Sequence, residues 1–392
     1  MHGIAFLRSN NFKLDKWRRS HGIHYHVISQ VDADEADQFA SYRRVDAIDK
    51  DPELAAYLDH LIEQHDIRFV IGHSEYDLVK SAQLRERLNL RGQTEVSAIS
   101  YRDKYLMKSY CAAKGVNVAK CELVGDQQAL MTAIKNIGLP CVVKPVAGGG
   151  SRNTFKVTSM DDKNLEGLVY PQLVEQFIEG DMYHVDGIVD NGEVAFAVVS
   201  RYTTSCLAYQ DGVYLGSTMV DFDSEIDKRM KEQTANTVDA LPYVEQMAFH
   251  AEFFLTPDNE IYLCEIAARS GGALVPQAII EAFGVDINEQ WIKQMQGAPA
   301  LIDSDIKPGQ HAGWFVIPPK KAKLLQTPQE LPPFAWISHY KMNGEVDKVY
   351  DGPVSSVCNV AVGVVTADNM AGVEERLETV RVWLEEHLEW ES

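Results

Sequence analysis

The chain has 392 residues, and its 37 Lys and Arg against 57 Asp and Glu give a formal net charge of −20. This acidic balance argues against sequence-independent nucleic-acid binding and against an anionic membrane surface, because both require a basic protein face. With 45% hydrophobic and 24% charged residues, the composition is that of a globular protein and excludes disorder or a fibrous repeat. The length predicts two or three domains.

The spacing of the cysteines and the composition of the N-terminus indicate where in the cell the protein works. No two cysteines form a CxxC pair, which is typical of reduced thiols in a cytoplasmic protein. The first residues are apolar for too short a stretch to be a secretory signal, and no run approaches the roughly 20 apolar residues of a membrane span. We therefore expect a cytoplasmic protein. The cysteines are Cys111, Cys121, Cys141, Cys206, Cys264 and Cys358.

The first part of the chain alternates short strands with helices. Apolar runs at residues 3–7, 25–28 and 67–72 predict strands, and apolar residues spaced along 54–62 predict a helix before the third strand. Such alternation indicates a small parallel α/β domain, which we assign to residues 1–97. No GxGxxG turn is present, so a dinucleotide fingerprint is absent.

A second domain, residues 98–310, is predicted to begin with a helix and continue mainly as strands. The helix spans 101–115 and ends at Gly115, where glycine accommodates a left-handed C-terminal residue. Asn191-Gly192 between two apolar runs predicts a two-residue hairpin. The predicted strands are 140–146, 154–157, 173–177, 183–189, 194–199, 247–254 and 260–266.

Residues 311–392 predict a C-terminal α+β lobe. Strands are expected at 313–317 and 360–366. Helical spacing then follows in the apolar residues Val373, Leu377, Val380, Leu384 and Leu388.

A glycine loop is the sharpest local motif of the chain. A strand delivers Lys144, and Gly148, Gly149, Gly150 and Ser151 then turn the chain back into another strand. Consecutive glycines let backbone N–H groups approach phosphate oxygens, and Lys144 adds a compact positive charge. A flexible hairpin without a ligand is the alternative interpretation of this segment alone.

Two carboxylates are predicted to face each other on an antiparallel strand pair. Glu252 and Glu265 flank the turn at Pro257, a separation that can bring them side by side. Adjacent carboxylates repel each other, so they commonly hold a hard cation such as Mg²⁺. Arg269 follows, and a guanidinium there suits an anionic substrate or a transferring phosphoryl group. Solvated glutamates and a structural Arg269–Glu265 ion pair are the alternatives.

The segment 173–180 ends in Phe177-Ile178 and could offer an adenine ring backbone hydrogen bonds and an apolar slot. A plain core strand explains the same residues.

Four motifs taken in order resemble the ATP-grasp superfamily over nearly the whole chain. They are Lys104 in RDKYLMK, Lys144-Pro145 before the glycine loop, VEQFIEG, and Glu252 followed by Glu265-Ile-Ala-Ala-Arg269-Ser270-Gly271-Gly272. The resemblance implies an ATP-grasp fold with an N-terminal parallel α/β domain and a C-terminal α+β lobe.

The resemblance also implies roles for individual residues. Lys104 and Lys144 would bind the ATP phosphates, Gly148–Ser151 would close over them, and residues 175–178, including Glu175, would contact adenine. Glu252 and Glu265 would bind Mg²⁺, or Mn²⁺ in its place. Arg269 and Lys144 would be catalytic, with Arg269, Ser270, Gly271 and Gly272 also facing the substrate.

Two positions depart from the family pattern. Ala267 stands where many members carry a metal-binding Asn, so the number of Mg²⁺ ions stays open. Met182 stands at the usual ribose-binding acid, for which Asp181 or His184 could substitute, although His184 could equally be an ordinary strand histidine.

The implied reaction is ATP-dependent amide formation through an acyl phosphate, as in amino-acid ligases. A bicarbonate- or formate-activating ligase acting on a ribotide is the second hypothesis, with Arg18-Arg19 and Arg43-Arg44 as candidate phosphate contacts. A non-catalytic ATP-binding regulator is the third. We expect small carboxylate and amine substrates, with residues 201–216 and Arg201 helping to recognise them, and a homodimer is compatible with the sequence.

Overall fold

The computed structural model describes residues 1–8, 14, 22–33, 36–298, 302, 306–353 and 358–391. Arg18-Arg19 lies outside these residues. All six cysteines are free thiols. Among the helices of the described ranges, none has the length and apolar character needed to cross a membrane.

The N-terminal part is a four-stranded parallel sheet with strand order β3-β2-β1-β4. Buried Ile4, Phe6, Ile28 and Val70 pack against the apolar face of helix α1, which explains why the alternating pattern folds as an α/β layer. The elements are β1 (His2–Leu7), β2 (His24–Ser29), β3 (Ser41–Arg44), α1 (Leu54–Gln64), β4 (Ile67–Gly72), α2 (Leu78–Arg87) and α3 (Glu95–Ser100).

A smaller antiparallel sheet follows, with strand order β5-β8-β6-β7. Helix α4 begins at Lys104 because the Asp103 side chain caps its first turn. This side chain accepts hydrogen bonds from the backbone N–H groups of Tyr105 and Leu106. The predicted helix therefore starts three residues too early. The elements are α4 (Lys104–Ala113), β5 (Cys121–Val124), α5 (Gln127–Ile137), β6 (Cys141–Pro145), β7 (Phe155–Val157) and β8 (Gln172–Gln176).

An antiparallel sheet of eight strands holds most of the remaining chain, in the order β13-β12-β9-β10-β11-β14-β17-β16. Three of these strands come from the C-terminal residues, namely β14 (His311–Ile317), β16 (Ile337–Met342) and β17 (Ala361–Ala367). The predicted hairpin between β9 and β10 is confirmed, with Asn191 and Gly192 at positive φ of 50° and 84°. The elements are β9 (Asp181–Asp190), β10 (Glu193–Tyr202), β11 (Leu215–Met219), α6 (Glu225–Ala240), β12 (Gln246–Leu255), β13 (Ile261–Ala267), α7 (Val275–Phe283) and α8 (Ile287–Met295).

The C-terminal residues extend this same sheet. Strands β14, β17 and β16 continue it at β11, so the boundary predicted at residue 310 does not separate two sheets. Helix α9 packs its buried apolar residues against β14 and β17. The elements are β14 (His311–Ile317), β15 (Leu324–Gln326), β16 (Ile337–Met342), β17 (Ala361–Ala367), α9 (Met370–His387) and β18 (Glu389–Trp390).

Candidate active site

The carboxylate pair lies on one face of the large sheet. Glu252 on β12 is the direct register partner of Glu265 on β13, and a β-bulge follows immediately after this pair. Directly opposed residues of antiparallel strands point to the same face, so the predicted juxtaposition is confirmed. The bulge re-aims the strand beside the two carboxylates, as bulges commonly do at functional sites.

Lys104 connects the carboxylate pair to the glycine loop. Its Nζ lies 2.6 Å from Glu265 Oε2 and donates to Gly148 O at 3.1 Å. Burial opposes ionisation of Glu265, but the charges of Lys104 and Lys144 outweigh it and lower the pKa of this carboxyl to about 2. Glu265 is therefore a carboxylate at every physiological pH.

A second lysine pair surrounds Glu175. Lys144 Nζ lies 2.5 Å from Glu175 Oε1, and Lys108 Nζ lies 3.3 Å from Oε2 and 3.2 Å from Leu263 O. Burial disfavours the charges of Lys144 and Glu175, yet the Glu175 carboxylate holds the pKa of Lys144 above its ordinary value, and the two lysines hold the pKa of Glu175 below its own. The side chain of Glu175 thus neutralises two buried lysines.

Lys108 was missed by the sequence analysis. It stands four residues after Lys104 on α4, so the two ammonium groups share one helix face. Met107 and Cys111 are also buried, so the sequence of this helix has the apolar face of an ordinary core helix. The signal that could have revealed Lys108 is this i, i+4 spacing of lysines beside a core stripe.

We expect Lys108→Met to lower the free energy of unfolding by about 3 kcal/mol, because it leaves buried Glu175 with one cationic partner. Lys135→Met, at an exposed position of α5, is the matched control and should change the free energy of unfolding by less than about 0.5 kcal/mol. Urea unfolding at neutral pH measures both. Equal stability of the two variants would contradict the role assigned to Lys108.

Arg269 is paired with Glu75, not with Glu265. Its Nε donates to Glu75 Oε2 at 2.5 Å, and Nη1 donates to Ser270 O at 2.8 Å. The other oxygen, Glu75 Oε1, accepts from Arg102 Nη1 at 2.6 Å. Burial alone would raise the pKa of Glu75, but the two guanidinium groups hold it below its ordinary value. The structural ion pair to Glu265 considered above is therefore wrong.

Glu75 and Arg102 were also missed by the sequence analysis. Glu75 follows β4 outside any motif, and Arg102 is the first residue of the RDKYLMK motif, in which only Lys104 was assigned a role. Arg102 also donates to Ala147 O at 2.6 Å and lies 3.4 Å from Gly148 O, which fixes the start of the glycine loop. The loop continues through Gly150 and Ser151, both at positive φ.

A buried polar network supports Glu252. Tyr202 Oη donates to Glu252 Oε1 at 2.9 Å, and His250 Nε2 lies 3.4 Å from the same oxygen. His250 Nδ1 donates to Asp186 at 2.9 Å. Burial disfavours the imidazolium, but the Asp186 charge raises the pKa of His250 to about 10. Glu252 therefore faces a charged donor and a phenol.

The same network holds the segment after Arg269. Gly271 N donates to Asp186 Oδ1 at 3.0 Å, and a Cβ on Gly271 would lie only 2.5 Å from that oxygen. A side chain therefore cannot be accommodated at Gly271. Ser270 is buried beside it, whereas a Cβ at Gly272 would meet open space.

His184 belongs to this network and is buried, so it is not available to a nucleotide at the surface of the site. It donates from Nδ1 to Asp186 Oδ2 at 2.6 Å, and its Nε2 is hydrogen-bonded to Ser217 Oγ at 2.6 Å. The ring is 1% exposed, and both nitrogens have protein partners. The proposed ribose contact of His184 is therefore wrong, and the ordinary strand-histidine interpretation holds.

Arg201 does not join the site. It pairs with Tyr183 in the β9–β10 register, whereas the neighbouring pair Ser200–His184 lies on the carboxylate face. Because side chains alternate along a strand, Arg201 points to the opposite face, where it forms an ion pair with Glu374 on α9. The predicted substrate role of Arg201 is wrong, and the next residue, Tyr202, is the one that reaches Glu252.

The remaining predicted contacts lie at the entry to β9. Phe177 and Ile178 are half-buried directly after β8, and Lys156 Nζ lies 3.8 Å from the centroid of the Phe177 ring. Asp181 is exposed. It lies on the same face of β9 as Tyr183, which is the face opposite to the Glu252–Glu265 pair. A contact of these residues with adenine or ribose stays a prediction.

Taken together, the described residues form a cationic and carboxylate site between two antiparallel sheets, preceded by a parallel α/β domain. Residues 101–273 match the family model of the ATP-grasp domain. The chain thus contains an ATP-grasp domain, and the fold predicted from the motifs is confirmed.

Known proteins with the same fold include several ligases. The chain is 24% identical over 234 residues to an L-arginine-specific L-amino acid ligase of Bacillus subtilis, in a match that covers 56% of this chain and 55% of that protein. The chain thus spans about half the length of this curated relative.

Two solved structures extend the likeness to the whole chain. The L-amino acid ligase from Bacillus licheniformis has a TM-score of 0.79 at 18% identity, covering 100% of this chain and 99% of its own. A carboxyaminoimidazole ribonucleotide synthase from Aspergillus clavatus, complexed with ATP, has a TM-score of 0.74 at 14% identity, covering 98% and 99%. At these identities the likeness establishes the fold alone.

Proposed function

We propose that this protein is an ATP-dependent ligase that joins the carboxylate of one amino-acid-like substrate to the amine of another. The observation that carries the proposal is the convergence of Lys104, Lys144 and Arg269 on the Glu252–Glu265 pair within an ATP-grasp domain. Similarity to L-amino acid ligases over the ATP-grasp domain and over the whole fold supports the substrate class.

The reaction requires two chemical steps. A substrate carboxylate oxygen attacks the γ-phosphorus of ATP, the bond to ADP breaks, and an acyl phosphate forms. The amine nitrogen of the second substrate then attacks the acyl carbon, phosphate leaves with the C–O electron pair, and the nitrogen loses a proton. Lys104 and Lys144 would hold the nucleotide phosphates, and Arg269 would stabilise the anionic acyl phosphate and tetrahedral intermediate.

The glycine loop would limit loss of the intermediate to water. Lys104 and Arg102 already bind carbonyl groups at its start, so the segment Gly148–Ser151 is anchored beside the lysines. When closed over the phosphates, it would exclude water from the acyl phosphate, which water would otherwise hydrolyse.

The donor set at Glu252 and Glu265 fits Mg²⁺. Two facing carboxylates supply hard oxygen ligands, and Glu265 keeps its charge because its pKa is about 2. Bound Mg²⁺ would neutralise charge on the ATP phosphates, and Mn²⁺ satisfies the same chemistry. Ala267, buried opposite His250, brings no side-chain ligand atom for a second ion.

The ribotide alternative finds less support at the described basic residues. A phosphoribosyl substrate would need uncompensated cations in the N-terminal domain, but both arginines of the Arg43-Arg44 pair contact carboxylates. The acids that pair with Arg43 are Asp51 and Glu53, and those that pair with Arg44 are Asp32 and Asp46.

Release of ADP from Mg²⁺-ATP with defined acceptors tests the proposal. Single amino acids, pairs of amino acids, and bicarbonate with aminoimidazole or glycinamide ribotides form the three arms. Turnover that requires an amino-acid pair, with one amide formed per ADP, supports the proposed ligase. Turnover only with ribotides overturns the substrate class, and ATP binding without turnover in any arm supports a regulatory protein.

A further inference from the structure

Three histidines meet near the N-terminal ends of the two central strands of the N-terminal sheet, away from the candidate active site. His2 begins β1, His26 lies in β2, and His65 directly follows α1. One ring nitrogen from each lies within 4.8 Å of the other two. The His65 ring is centred 4.6 Å from that of His2 and 4.4 Å from that of His26, so it packs against both.

We propose that His2, His26 and His65 bind a divalent transition-metal ion of the Zn²⁺ class. Three neutral imidazoles are the donors such ions prefer, whereas Mg²⁺ and Ca²⁺ require oxygen ligands. This site is separate from the proposed ligase function and does not depend on it.

The donor nitrogens are close enough to converge on one tetrahedral ion once the rings turn. With Zn–N bonds of 2.0–2.1 Å, two nitrogens on the same tetrahedral ion lie about 3.3 Å apart. His2 Nδ1 and His26 Nε2 are hydrogen-bonded at 3.1 Å, so an ion would replace the proton between them, and the three candidate nitrogens lie within 4.8 Å of one another. The His65 ring is stacked on that of His2 with 16° between the ring planes, so it must turn out of this stack to direct its nitrogen at the ion, with water in the fourth position.

A hydrogen bond to Ser41 orients the His26 ring. His26 is 1% exposed, and its Nδ1 is hydrogen-bonded to Ser41 Oγ at 2.9 Å, which in turn lies 2.9 Å from Tyr57 Oη. This arrangement occupies one ring nitrogen and directs the other, Nε2, toward His2. Metal-binding histidines commonly have such a partner on the nitrogen that does not bind the ion.

The position of the cluster indicates a structural role. His65 precedes β4 and Glu75 follows it, so the length of this strand, about 17 Å, separates the histidines from the Arg269–Glu75 pair. An ion on the three histidines would link the starts of β1 and β2 to the end of α1. It would thereby stabilise the parallel sheet and leave the catalytic chemistry unchanged.

Metal uptake by the full chain, without an added polyhistidine tag, tests the proposal. Excess Mg²⁺ is kept present to occupy oxygen-donor sites, and Zn²⁺ and Co²⁺ are added separately. We expect about one tightly bound Zn²⁺ per chain, an intense visible Co²⁺ spectrum typical of tetrahedral nitrogen ligation, and a Zn²⁺-dependent rise in unfolding temperature of about 3 °C or more.

Variants separate this site from other metal-binding groups of the chain. His65→Gln and His2→Gln change half-buried side chains and should lose the Co²⁺ spectrum and the thermal shift. His60→Gln, exposed on α1, is the matched control and should keep both. His26→Gln is a further variant whose folding is checked by circular dichroism. Uptake and spectra that are the same in His65→Gln as in the unmodified chain, or no Co²⁺ spectrum in the unmodified chain, would overturn the proposal.

Discussion

Glu265→Gln is expected to lower the rate of ADP formation by at least about a thousandfold. The substitution removes one of two facing carboxylates that would bind Mg²⁺, and with it the neutralisation of phosphate charge on which phosphoryl transfer depends. The amide of the variant cannot ionise, so raising the pH should not restore activity. ADP release at saturating ATP is the measurement.

The local fold should tolerate this change. Lys104, the cationic partner of Glu265, keeps its hydrogen bond to Gly148 O. Glu260→Gln, exposed on the turn between β12 and β13, is the matched control and should retain the unmodified rate. Glu265→Asp retains a carboxylate and should need more Mg²⁺ for half-maximal rate. An unmodified rate in folded Glu265→Gln would show that the metal-site assignment is wrong.

The strand pattern predicted the carboxylate pair well because the position of this pair depends only on neighbouring parts of the sequence. Glu252 and Glu265 flank one turn, and the two-residue period of the strands determines their common face. Lys104 and Lys144 likewise lie on a helix and a strand that the sequence predicts, although the helix begins at Lys104 and not at residue 101. Residues of this kind can be placed without knowing how distant elements pack.

The remaining contacts depend on tertiary packing. Glu75 reaches Arg269 across 194 positions in the sequence, and only the docking of the parallel domain brings them together. Arg201 shows how sensitive a strand prediction is to length. The predicted strand ended at residue 199, whereas β10 continues to Tyr202, so alternation places Tyr202 on the site face and Arg201 on the other.

The Arg269–Glu75 pair allows catalysis and positioning to be separated. Arg269→Ala should lower kcat by about a thousandfold, because it removes the guanidinium that would stabilise the acyl phosphate. Glu75→Gln weakens the 2.5 Å contact at Nε but leaves the guanidinium in place, so we expect about a tenfold lower kcat with little change in KM for ATP. Steady-state kinetics with the identified substrates measure both.

The double variant decides how Glu75 acts. If Glu75 works by orienting Arg269, Glu75→Gln should cost almost nothing further in the Arg269→Ala background, because coupled residues are not additive. A further tenfold loss would instead show that Glu75 acts through Arg102, its other partner at 2.6 Å, which binds the glycine loop. Arg68→Ala, an exposed arginine of the same domain, is the matched control and should retain full activity, with thermal unfolding confirming that each variant is folded.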